Sequence, residues 1–177
     1  FASYLSHRQH PAWYFDWRDP LGSGSVGEGD TRIANDALRQ RFTVIGIAHE
    51  FPGDIDWTYN PTTQPGSPYA PNNEWTWQFN RHHFWVSMGR MYHATGDEVY
   101  AETFVKQMTD WVTKNPVPDW PDQRAFSRWR TIEAGIRMQN WSNVFMYFLS
   151  SPRFTDEALV TMVRSMVEHA RYLMAHP

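Results

Sequence analysis

The chain has 177 residues, 41% hydrophobic and 20% charged, a balance that sustains one domain with a real core and excludes a disordered chain. A net charge of −3 excludes a whole-surface electrostatic grip on nucleic acid, and the lack of cysteine excludes disulfides and thiolate metal sites. No apolar run approaches the roughly 20 residues of a membrane-crossing helix, so a soluble protein is expected.

The opening FASYLSHRQHP lacks the layout of an intact signal peptide, and the start on Phe1 reads as a processed protein or a cut fragment. Residues 1–72 read as a loop-rich lead-in. The run LGSGSVGEGD has neither the Lys-Ser/Thr ending nor the preceding strand of a phosphate-binding loop. Asp30 or Thr31 caps a short helix through about Gln40, and FTVIGIAHEF follows as an extended stretch. Residues 52–73 hold five prolines and no period, the mark of a long loop.

Residues 73–177 read as two inner/outer helical hairpins. On the first helix, 73–93, Trp75, Phe79 and Val86 fall on one side and Trp77, Phe84, Met88 and Met91 nearly opposite, so it is covered on two sides. The second, 97–114, has one apolar stripe and one polar face. After the longer return KNPVPDWPDQRAF, the helix at 127–149 is again apolar all round, with Ser127 as N-cap, and 155–174 is one-sided and capped by Thr155. Met91-Tyr92 recurs as Met146-Tyr147, an offset of 55, each pair soon followed by an acidic helix start. Such a period marks an α/α array.

Polar residues interrupt both inner helices in the same phase. The offset of 55 lays Gln78 on Glu133, His82 on Arg137 and Trp85 on Asn140. The second helix carries Arg130, Glu133, Arg137, Asn140 and Trp141 as one stripe, and the first offers Gln78, Arg81, His82 and Trp85. Buried unpaired charge is costly. The stripe therefore either forms an internal ion-pair network of Arg130, Glu133 and Arg137 or faces a groove ringed by inner helices. The ten tryptophans leave the same choice between filling a core and lining a cleft for sugar rings.

His82 is the groove candidate, whereas His83 shares a side with Thr76, Asn80, Ser87 and Arg90 and is expected to make ordinary hydrogen bonds. Adjacent histidines on a helix diverge by about 100° and cannot chelate one metal, so no metal site is expected. Nucleophile motifs are missing. Glu74, Glu133, Asp54 and Asp56 leave a glycoside hydrolase open, since spacing cannot give carboxylate separation.

The blocks FPGDIDWTYNP, NEWTWQFNRHHFWVSMGRMYHATGDEVYAETFVKQMTDWVTKNP, FSRWRTIEAGIRMQNW and SSPRFTDEAL resemble the N-terminal region of the heparinase II/III family of polysaccharide lyases, closest to its heparinase III-like branch. The resemblance spans most of residues 28–177. It implies an all-α fold, an incomplete (α/α) toroid of helical hairpins with about half present here, and later toroid helices and a β-sandwich domain beyond residue 177. It also implies β-elimination on a uronate-containing acidic polysaccharide, heparan sulfate or a related polymer. An Asn would neutralise the uronate, with Tyr and His moving the protons.

Those catalytic residues are expected beyond Pro177, and none is assigned here. This segment would supply one wall of the substrate groove, built from Trp77, Gln78, Arg81, His82, Trp85, Arg130, Glu133, Arg137, Asn140 and Trp141. Arg81, His82, Arg130 and Arg137 would meet carboxylate or sulfate, and Trp75, Trp77, Trp85 or Trp141 would stack or pack. No cofactor is required by this segment. By resemblance the protein is periplasmic or secreted from a bacterium. The alternatives are a non-catalytic acidic-carbohydrate-binding or scaffold domain, and a lyase of the same family acting on alginate or another uronate polymer.

Overall fold

A computed structural model describes residues 26–119 and 127–176. The expectations for residues 1–25, and for most of the second half of the return before the second inner helix, lie outside the described residues. Helix α1 spans Glu28–Leu38, strand β1 Arg41–Val44 and strand β2 Ile47–Glu50; then come α2 Glu74–Phe79, α3 His83–Thr95, α4 Glu98–Lys114, α5 Thr131–Phe148 and α6 Asp156–Ala175.

The stretch FTVIGIAHEF is not one extended segment but an antiparallel hairpin, with Arg41 opposite Glu50 and Val44 opposite Ile47. Phe42 and Val44 point inward and Arg41 and Thr43 outward, as the pleat requires. Its two-residue turn has Ile45 at φ 46° and Gly46 at φ 79°. Glycine takes that conformation freely, but a β-branched residue does so only against steric resistance.

Residues 51–73 form the expected long loop, and it is pinned by its own polar groups. The Asn60 side chain accepts from Thr62 N at 3.0 Å and from its hydroxyl at 2.8 Å, and donates to Asn72 O at 3.0 Å. Trp57 donates from Nε1 to Asp110 at 2.8 Å, tying the loop to α4.

The two outer helices begin where expected. Asp97 caps α4 by accepting from Val99 N, and Thr155 caps α6 by accepting from Ala158 N. Gly96, at φ 69°, closes α3 in the left-handed conformation that a glycine cap supplies. Ser127 does not cap the second inner helix; its hydroxyl accepts from Trp129 N, and Arg130 holds the N-cap position of α5.

The larger departure is the first inner helix, which is not continuous over 73–93. It breaks after Phe79 into α2 and α3, with His82 in the left-handed region at φ 60°. The second inner helix runs unbroken through the equivalent positions.

The core lies between the inner rods α3 and α5 and the outer helices α4 and α6. The inner rods approach closely: a Cβ on Gly89 would sit 2.7 Å from Tyr147 Cδ2, so only glycine fits there. Six of the seven tryptophans among the described residues are buried, and Trp77 alone is partly open. The aromatic richness therefore fills the interior.

Candidate functional site

The break at Asn80–His82 frees backbone carbonyls in the interior, where an unpaired acceptor costs about 1–3 kcal/mol. Side chains from α5 fill them. Arg137 donates from Nη1 to Asn80 O at 2.9 Å and to Arg128 O at 3.0 Å, and from Nε to His169 Nε2 at 2.9 Å. Asn140 donates from Nδ2 to Arg81 O at 2.7 Å and shares His83 Nδ1 at 3.1 Å. Asn80 itself donates to Trp57 O and accepts from Trp111 Nε1.

Arg137 is 0% exposed and its guanidinium lies 4.4 Å from the Trp111 ring centroid. Burial pushes its pKa down to about 9, still above neutral pH, so it remains a cation. His82, also 0% exposed, accepts from Trp141 Nε1 at 3.0 Å on Nδ1 and packs on Trp85 at 3.9 Å between centroids. Burial, then the nearby Arg137 charge, holds its pKa well below 6.5. His169 is shifted the same way for the same leading reasons, and its Nδ1 donates to Ser165 O.

Six of the ten expected groove residues are therefore interior pieces, Glu133 among them with no exposed surface. His82, Trp85, Arg137 and Trp141 have no exposed surface, and Asn140 has 8%. None of the four offers a face to a polymer, because each packs between inner and outer helices. The expected Arg130–Glu133–Arg137 network also changes membership: Glu133 pairs with Arg81 at 2.9 Å and lies 3.5 Å from Arg130 Nε, while Arg137 bonds neutral acceptors.

The other expected residues come together at the mouth of the two inner rods. The Arg130 guanidinium lies 3.6 Å from the Trp77 ring centroid, the geometry of a cation–π contact. Arg81 Nη2 also reaches 3.7 Å from Glu74, and Gln78 donates to Glu74 at 2.9 Å. Arg81 and Arg130 keep 16% and 23% of their side-chain surface open; Glu133 keeps none. The buried atoms Trp77 Nε1, Arg81 Nε, Arg130 Nη1 and Glu133 Oε2 have no hydrogen-bond partner among the described residues. This cluster can present oriented N–H donors and a flat ring to an anionic sugar. It holds no pair of open carboxylates for hydrolysis, since Glu133 is locked in ion pairs.

His83 and Arg90 share an open side of α3 as expected, whereas Thr76, Asn80 and Ser87 are buried. His83 and Arg90 on α3, and Ile132 and Gln139 on α5, are exposed at seven-residue spacing on the side away from the core. In the histidine pair the left-handed backbone sends His82 inward and His83 outward. Among the described residues no group of three or more His, Asp or Glu is placed to hold a metal ion, and no helix is long and apolar enough to cross a membrane.

The family pattern described as "Heparinase II/III N-terminus" matches residues 1–177. The chain is 32% identical over 170 residues to a heparin-sulfate lyase of Pedobacter heparinus, covering 90% of this chain and 24% of that protein. A heparin-sulfate lyase of Bacteroides stercoris is 30% identical over 173 residues, with 85% and 24% covered. The crystal structure of heparan sulfate lyase HepC from Pedobacter heparinus superposes with a TM-score of 0.79 at 30% identity, over 99% of this chain and 26% of that one. The chain thus spans about a quarter of the length of these relatives. Paired inner and outer helices in this order, matched end to end by that pattern, are part of an α/α toroid, and the chain belongs to the heparinase II/III N-terminus family.

Proposed function

We propose that the chain is the N-terminal toroid part of a polysaccharide lyase that cleaves heparan sulfate or a related uronate polymer by β-elimination. The observation that carries this reading is the match to a heparan sulfate lyase structure over 99% of the chain at 30% identity. In such a reaction the C5 proton leaves as a proton, its electron pair forms the C4–C5 double bond, and the C4–O bond breaks with protonation of the departing oxygen. The uronate must be neutralised for C5 to become acidic. Those catalytic groups belong to the part of the protein beyond residue 177.

The role of this segment is to supply one wall of the groove. Trp77, Gln78, Arg81 and Arg130 are the partly open members of the expected set, and they are the ones available to sugar. Trp77 offers a ring face to C–H groups, while Arg81 and Arg130, oriented by Glu133, offer N–H donors to carboxylate or sulfate. Incubating the intact parent protein with heparan sulfate and following the absorbance of the new double bond tests the reading. No unsaturated product from any uronate polymer would overturn it. Export to the periplasm or medium is part of the same proposal, and cell fractionation tests it.

A further inference from the structure

A cavity of about 210 Å³ lies between α1, the β1–β2 hairpin, Gln78 at the end of α2 and the start of α3. At roughly 30 Å³ per water it holds about seven waters, the scale of one sugar ring. Its floor is apolar, made by Phe42, Val44 and Phe84, all 9% exposed or less. Two of the large exposed hydrophobic residues, Ile33 at 37% and Ile45 at 39%, also line it. The polar lining is cationic. The Arg41 side chain makes no hydrogen bond or ion pair among the described residues, and Arg32 stands 3.9 Å from Asp36 with 63% of its side chain open. Asp36, the acidic residue of the lining, is held at 2.6 Å by Arg39.

His83 adds a donor. Asn140 occupies its Nδ1 by donating from Nδ2, which leaves the proton on Nε2. The rim is strained: Ile45 occupies the first turn position of the hairpin at φ 46°, where Asn, Asp or Gly fits without cost. A β-branched residue held there is the kind of local strain that clusters at ligand clamps.

We propose that this cavity is a subsite for one anionic sugar unit of the polymer, with Arg32 and Arg41 on its carboxylate or sulfate, His83 donating to a ring substituent, and Phe42, Phe84 and Ile45 against its C–H faces. The proposal rests on the lyase reading for the identity of the polymer. The cations set the charge of the ligand, and the apolar floor requires a ring with an apolar face, which a free inorganic anion lacks.

The test uses the intact protein and a heparan-derived tetrasaccharide in calorimetry, with sodium sulfate as a second ligand. The R32Q/R41Q double variant, altering two exposed side chains, is expected to weaken tetrasaccharide binding about tenfold. The control R153Q, at an arginine remote from the cavity, binds as the wild type does. I45N is expected to melt at higher temperature because the turn relaxes, yet to bind more weakly because the apolar rim is gone; a purely structural role for Ile45 would move melting alone. Unchanged binding in R32Q/R41Q and I45N, no tetrasaccharide binding by the wild type, or sulfate binding as tightly as the tetrasaccharide, would each overturn the subsite. An active wild type with an unaffected R32Q/R41Q sinks only this proposal. A wild type that binds the tetrasaccharide but makes no unsaturated product sinks the lyase reading instead.

Discussion

The two inner rods occupy equivalent places in the repeat, yet one is broken and the other is not. At positions offset by 55, the first rod puts His82 in a left-handed turn while the second carries Arg137 within a continuous helix. The break costs carbonyl partners, and the continuous rod returns them through Arg137 and Asn140. A charged stripe in a buried helix is here a set of caps for a neighbouring helix, which is why it reads from sequence as binding machinery. The partly open side chains of the stripe, Trp77, Arg81 and Arg130, instead meet one another and Glu133.

The comparison breaks first at Arg137. Arg137→Ala is expected to cost about 3–5 kcal/mol in denaturant unfolding of the intact protein, because three acceptors lose a buried donor. Arg137→Lys should recover little, since one ammonium cannot reproduce the fork geometry. If Arg137→Ala left stability untouched and raised only KM, Arg137 would be a ligand contact and its place in the core would be wrong.

Acid should act on both rods together. His82 and His169 have pKa values held well below 6.5 in the folded state, so the unfolded chain takes up protons that the folded chain refuses. Stability is fully present above about pH 6.5 and falls as pH drops toward 5.5, by on the order of 1 kcal/mol per group. Thermal melts from pH 7.5 to 5.5 check this, and the slope should shrink in His169→Gln.

Gly89→Ala sharpens the comparison from the packing side. The added methyl meets the Tyr147 side chain at 2.7–2.9 Å and should cost about 1–3 kcal/mol, less the helix propensity gained. Pairing it with Tyr147→Ala should make the two effects non-additive. Asn140→Ala, which strips one donor from Arg81 O, should cost about 1 kcal/mol in the same unfolding measurement.

Most of the helical layout was legible because each outer helix carries its own markers: a one-sided apolar stripe, Asp97 or Thr155 as cap, and acids in the first turn. The break at His82 carries no such marker. No glycine or proline stands there, the helical period runs through it, and its stabilising groups lie 57 and 59 residues away. The hairpin turn was hidden likewise, because isoleucine occupies a position that Asn or Gly normally announces.

For the site, spacing placed Gln78, Arg81, Arg130 and Glu133 on meeting faces, and they do meet. It could not choose between the side packed on the outer helices and the open side. An inner helix apolar on both flanks gives no direction to its polar residues. His82 was therefore assigned to the groove although it is buried, while His83 makes the ordinary hydrogen bond expected of it.

Arg137 joins the turn before α3, the stretch before α5 and, through His169, helix α6. In arrays whose repeats hold themselves together, units melt one after another. Here a nascent chain that has produced only the first hairpin still carries uncapped carbonyls at its bend, and that hairpin cannot become fully native until the second has been synthesised. The pair should therefore behave as one cooperative unit, with no plateau between them on unfolding.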